Sequence, residues 1–209
     1  MRKALFPLLA LVLMIISCKD QEPKQPTSEI DRSQYTEHYI DFLNGYMILP
    51  PTFIETSPRK LVDLQVEQLG RPDLKEQLLQ EYRGLESTTK WGFKTFVDST
   101  DSRTYLFLRK FEYVELSKEL GNQYLGLVRQ STEHQWIRKD INFERLENKI
   151  VQTDKSKYIK IKYRLDKDQR ITYRTQFLMT NKKETFDILV ASAFNTEVED
   201  WVKRTVIND

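Results

Sequence analysis

Residues 4–16 form an uncharged run that is apolar except for Pro7, preceded by Arg2 and Lys3 and followed by Ser17 and Cys18. The run is shorter than the roughly 20 apolar residues that a spanning helix needs. A positive head, an apolar middle and a small residue before a cut mark a removable targeting segment, here residues 1–17. The pattern then reverses. Residues 18–34 are polar, contain Pro23 and Pro26, and offer nothing to bury, so they read as a flexible tether. From Tyr35 onward apolar positions recur with the periods of secondary structure, and 35–209 reads as one globular domain.

Residues 39–43 and 46–49 alternate about Asn44-Gly45, which predicts a hairpin with a two-residue type I′ turn, ended by Pro50-Pro51. Ser57-Pro58 reads as a helix cap and first turn, with Leu61, Leu64 or Val66, and Leu69 buried before Gly70 stops the helix. A second helix starts at Pro72, buries Leu74, Leu78, Leu79 and Tyr82, and ends at Gly84. Residues 91–97 and 103–109 predict paired strands, the second apolar on both faces at Leu106-Phe107-Leu108 and so covered from both sides. Leu116, Leu120, Tyr124, Leu127 and Val128 define the buried stripe of a helix over residues 117–130.

The second half predicts a four-strand meander over residues 143–152, 158–165, 171–180 and 185–193. Ile159, Ile161, Tyr163 and Leu165 share one face by alternation, and Ile171, Tyr173, Phe177 and Met179 share one face of the next strand. Thr196-Glu197-Val198-Glu199 reads as a capping box opening a final helix that buries Val198, Trp201, Val202 and Val206. Hairpin, helices, strands, helix, meander and closing helix together predict an α+β fold, an antiparallel sheet with helices packed on it.

Two stretches carry a family resemblance. Gly45-Tyr46-Met47-Ile48-Leu49-Pro50 resembles the opening of PsbP-like domains, and residues 170–177 with Ala191-Ser192-Ala193 resemble their late hairpin. The resemblance implies an α/β/α sandwich, with helices on both faces of the sheet, serving mainly as an accessory or binding module. Fold by itself does not give function.

Composition removes several classes of function. Loss of Arg2 and Lys3 with the leader brings the 33 basic residues level with the 31 acidic ones, so no basic footprint for nucleic acid remains. Cys18 is the single cysteine, so no disulfide, thiol catalysis or Cys-based zinc site follows it. Ile15-Ile16-Ser17-Cys18 resembles a bacterial lipoprotein lipobox, which implies that Cys18 becomes the lipid-bearing first mature residue. Lys19-Asp20-Gln21-Glu22 resembles the surface-export signal of Bacteroidota lipoproteins; it reads equally as a hydrophilic tether. Lys19 at that position favours the outer membrane, on its periplasmic or its external face. The covalent lipid is the only non-protein group expected, and the expected partners are the membrane and an envelope protein.

Candidate chemistry is sparse. His38, flanked by Glu37, and His134 lack a second ligand at metal spacing and read as surface histidines. No nucleophile elbow, phosphate loop or dinucleotide fingerprint is present, and the plentiful carboxylates lie among lysines and arginines as on a salt-bridged surface, so no enzyme is expected. One constellation stands out. Tyr158, Lys160, Lys162 and Arg164 share the strand face opposite Ile159, and Arg174 on the next strand is placed beside them. Together they predict an exposed basic patch that receives an acidic partner, an anionic glycan or lipid headgroups, or else merely deters edge pairing. Three functions are therefore weighed. A non-enzymatic protein-docking module predicts a flat or grooved surface. A small-ligand or glycan binder predicts a cleft between sheet and helices lined by aromatics. A carboxylate hydrolase needs two facing carboxylates, one with a raised pKa.

Overall fold

The computed structural model describes residues 34–152, 157–168, 170–181 and 183–208. The leader over residues 1–17, Cys18 and the tether up to residue 33 lie outside the described residues.

Two antiparallel sheets stack face to face. The larger has seven strands in the order β3-β4-β5-β9-β8-β7-β6, and the smaller has three in the order β1-β2-β10. The large sheet comprises β3 (Phe53–Thr56), β4 (Phe93–Asp98), β5 (Tyr105–Phe111), β6 (Asn142–Gln152), β7 (Lys157–Lys167), β8 (Arg170–Asn181) and β9 (Glu184–Ser192). The small sheet comprises β1 (Thr36–Ile40), β2 (Gly45–Leu49) and β10 (Val206–Ile207). The expected meander is β6 to β9, and the pair expected over residues 91–109 is β4 and β5.

Local chemistry sets the helices. Ser57 caps α1 (Pro58–Leu69), its Oγ accepting from the Lys60 amide at 3.2 Å, and Gly70 ends it in the left-handed region at φ 61°. Helix α2 (Lys75–Ser87) follows a 3₁₀ turn and continues through Gly84, which was expected to end it. A glycine costs a helix interior only about 1 kcal/mol, and buried Leu79 and Tyr82 hold the helix down. Ser117 caps α3 (Lys118–Val128), which runs through a π-helical turn (Arg129–Glu133) into α4 (His134–Arg138). Among the described residues, no helix is long and apolar enough to cross a membrane.

Two expectations at the ends of the domain are corrected. The first hairpin does not turn on Asn44-Gly45 alone. A 3₁₀ turn (Asp41–Leu43) precedes Asn44, which takes φ 47°, and Ile40 pairs with Gly45. Gly45 is needed for close approach instead, because a Cβ there would overlap the carbonyl oxygen of Val206 in β10. The closing helix α5 (Glu199–Lys203) has Val198 at its N-cap, not Thr196, and Val206 leaves it to join the small sheet with nearly half its surface exposed. The final segment therefore spans both sheets.

The large sheet is buried on both faces. One face packs against the small sheet and α5 through Leu106, Leu108, Phe177, Met179, Ile188, Met47, Leu49, Trp201 and Val202. The other carries two separate helical pairs. Helices α1 and α2 cover Val97, Phe107 and Leu189, while α3 and α4 cover Ile159, Ile161 and Tyr163. The sandwich expected from the resemblance thus has the two helical pairs on one face, and the small sheet with α5 on the other.

Candidate functional site

The predicted patch does not survive as a patch. Lys160, Lys162 and Arg164 do share one strand face with Tyr158, but that face is turned under α5 and the segment leading to it. Tyr158 and Lys160 are each 1% exposed and Lys162 is 7% exposed. The register also separates Arg174 from the group. Arg174 pairs with Tyr163, so it stands on the helix-bearing face. The sequence argument failed because both faces of β7 are covered, and alternation alone cannot say which face meets water.

The lysine face is a closed ionic cluster. Lys160 Nζ contacts Glu147 at 2.6 Å, Glu199 at 2.9 Å and Glu197 at 3.1 Å. Lys149 contacts Glu199 at 2.6 Å and Glu147 at 2.8 Å, and Lys203 reaches Glu199 at 3.1 Å. The Tyr158 hydroxyl donates to Glu199 at 2.6 Å, and Lys162 donates to the Thr196 carbonyl at 3.1 Å. Burial pushes the Glu199 carboxyl up, yet hydrogen bonds from Lys149, Tyr158, Lys160 and Lys203 outweigh it and hold the group well below its usual range. Burial likewise opposes the charge on Lys160, and the three glutamates restore it, leaving the ammonium more firmly protonated than usual. Three ion-paired lysines, Lys149, Lys160 and Lys203, meet three carboxylates, and Lys162 adds a fourth cation on a backbone carbonyl. The cluster clamps the C-terminal segment onto β6 and β7. Arg164 sits at its margin, 3.6 Å from Asp166.

The helix-bearing face holds a different polar group, on the strip between the two helical pairs. Arg109 Nε donates to Asp187 Oδ1 at 2.8 Å, and its Nη2 donates to Oδ2. Gln176 donates to Asp187 at 3.0 Å and to the Tyr124 hydroxyl at 3.1 Å. Arg109 also reaches the Thr88 hydroxyl at 3.3 Å, so the group links the sheet to both α2 and α3. Burial raises the Asp187 pKa, and Arg109 and Gln176 pull it back. Arg174 lies one strand over, its guanidinium 5.7 Å from the centre of the Trp136 ring. Sequence reasoning missed Arg109, Asp187, Gln176 and Tyr124 because the fold gathers them from distant strands. The one legible signal was Asp187, a lone acid inside the apolar strand Phe186-Asp187-Ile188-Leu189.

The histidines differ from each other. His38 is half-buried rather than fully on the surface. It points beneath the small sheet and packs edge-on against Phe96 at 5.0 Å, and burial lowers its pKa, with Glu55 opposing and Lys94 assisting. His134 is exposed, as expected. Among the described residues, no three His, Cys, Asp or Glu side chains gather as a metal would need. His134 instead lines a shallow open depression of about 440 Å³ on the outer side of α3 and α4, with Leu127, Gln130, Ser131, Gln135 and Arg138. Leu127 was expected in the buried stripe. That stripe runs through Gly121, Leu125 and Val128, leaving Leu127 64% exposed, and Ile137 on α4 is exposed to the same degree.

Comparison with known proteins bears on the fold. The sequence matches no protein-family model and no curated protein. The solution structure of cyanobacterial PsbP (CyanoP) from Synechocystis sp. PCC 6803 is similar at a TM-score of 0.50 and 11% identity, covering 89% of this chain and 99% of that one. The fold is PsbP-like. At that identity the likeness concerns architecture alone. The Saccharomyces cerevisiae Ran-binding protein Mog1p is similar at a TM-score of 0.43 and 12% identity, over 81% of this chain and 82% of that one, too weakly to carry an argument.

Proposed function

We propose that the chain is a lipid-anchored accessory module of a bacterial cell envelope, which docks to a partner protein and performs no chemistry of its own. In this proposal Cys18 bears the lipid, and residues 19–34 hold the domain off the outer membrane. One observation carries the docking reading. Leu127, 64% exposed, lines an open depression on the bent helical run from α3 to α4, and Ile137 on α4 is exposed to the same degree. Exposed apolar side chains of that size, rimmed by polar ones, suit a protein contact, and π-helical turns are frequent at functional sites. Arg138 in the lining gives the surface a cationic edge, which suits an acidic amphipathic segment of the partner. The carboxylates support a non-enzymatic reading. Glu147, Glu197 and Glu199 converge on a lysine and are held low, and Asp187 faces an arginine, so neither group offers an acid/base carboxylate pair.

A photo-crosslinking residue placed at Gln130 in intact cells is expected to trap one discrete envelope protein. The same residue at Glu67 on α1 should trap none, and Leu127→Glu should abolish the product. Equal products from both positions would overturn the docking surface. Cys18→Ser should release the chain from the membrane fraction, and retention there would overturn the anchor.

A further inference from the structure

The strip of large sheet between the two helical pairs is incompletely covered. Tyr105, Arg109, Arg174, Gln176 and Leu178 on it are only partly buried, whereas Leu106, Leu108, Thr175, Phe177 and Met179, which alternate with them, are at most 4% exposed. That leaves a partly open strip, or slot, between α2 on one side and α3 and α4 on the other.

Charges in the slot do not cancel. Arg109 and Asp187 satisfy each other in a two-pronged pair, with Gln176 on the same carboxylate. Glu81, on α2, lies 3.9 Å from Lys139, just after α4. Arg174 is left over. Among the described residues no carboxylate lies within ion-pair distance of it, and its charged neighbours Glu81, Asp187 and Arg109 act on it only through space. Its guanidinium carbon lies 5.7 Å from the centre of the Trp136 ring, within reach of a cation–π contact, and Tyr105 acts on it as well. Burial lowers its pKa, which marks an uncompensated cost of desolvation, although arginine stays charged regardless. Tyr124 stands close by. Its hydroxyl accepts from Gln176, and burial keeps it protonated, so its own proton is available to donate.

We propose that Arg174, oriented by Trp136 and assisted by Tyr124, is the recognition group of a small-anion site that takes the carboxylate or phosphate group of a small molecule entering the slot. A guanidinium presents a planar fork whose paired N–H donors match both anions, and a partly desolvated site strengthens the contact relative to water. The reading is independent of the docking surface, which lies on the outer side of α3 and α4.

The test is an NMR titration of the full chain, following the Arg174 side-chain Nε–H resonance against inorganic phosphate and, in parallel, acetate, with sodium chloride at matched ionic strength. A saturable shift with phosphate, acetate or both, absent with chloride, is the expected result, and the tighter of the two identifies the anionic group. Followed by Trp136 fluorescence, Arg174→Lys should weaken anion binding roughly tenfold or more, because a forked charge-assisted contact becomes a single point charge. Arg174→Gln should abolish the accompanying change in Trp136 fluorescence. A linear response, or one that chloride reproduces, overturns the proposal in the unmodified chain, whether or not the variants fold.

Discussion

The two faces of the large sheet handle buried charge in opposite ways. Beneath α5, Lys160 is almost wholly enclosed and meets three carboxylates. Between the helical pairs, Arg174 is partly open to solvent and meets an aromatic ring and, among the described residues, no carboxylate. The first arrangement locks a chain end in place, because Lys160 is the one cation that all three carboxylates share. The second holds a cation with no ion-pair partner among the described residues. The contrast distinguishes a structural charge from a functional candidate better than charge or exposure does, since the sequence grouped both residues into one patch.

The largest expected effect lies on the closed face. Lys160→Ala leaves Glu147 and Glu199 facing each other without the central cation, and breaking a buried pair by removing one partner costs about 3–5 kcal/mol. Urea denaturation should show that loss. The same cluster should dominate acid unfolding. The Glu199 pKa is lowered by folding, so its contribution is present above the unfolded value near 4.5 and is lost as pH falls through the folded value. If Lys160→Ala and Arg174→Ala destabilise equally, the distinction between the faces fails.

A smaller and separable effect comes from His38, also on the closed face. Burial lowers its pKa below the ordinary 6.5, so the folded state binds its proton less tightly than the unfolded chain does. Stability should therefore decline as pH falls below about 6.5. Thermal unfolding between pH 7 and 5 should show a decline that His38→Gln removes, at pH values well above the range in which Glu199 titrates.

Much of this architecture was legible along the chain. Ser57-Pro58, Gly70 and Ser117 marked helix ends because capping is local chemistry, and the meander followed from alternation and turn residues. What failed was anything that needed to know what lies above a strand. Tyr158 and Ile159 point to opposite faces, and both are 1% exposed, so the usual choice between core side and water side had no answer here. The same blindness put Val206 in a helix and Leu127 in a core. The first pairs with a strand far away in sequence, and the second falls just off the stripe set by Leu125 and Val128. The Arg109–Asp187 pair was out of reach for a related reason, because its partners meet only when β5 and β9 become neighbours.

The smallest expected change is the most diagnostic. Arg174→Met keeps a long, flexible, apolar stem against Trp136 while removing the guanidinium. If the cation served the fold, the variant should lose stability as Lys160→Ala does. If the cation is carried for a ligand, what disappears is a desolvation cost with no ion pair to offset it, plus a cation–π contact of about 0.5–1 kcal/mol. These nearly cancel, so the urea midpoint should stay within about 1 kcal/mol of the parent, on either side. Charged residues kept where the fold gains little from them are typical of sites retained for binding. A loss above about 3 kcal/mol, the range in which breaking a buried pair falls, would place Arg174 alongside Lys160 as part of the scaffold.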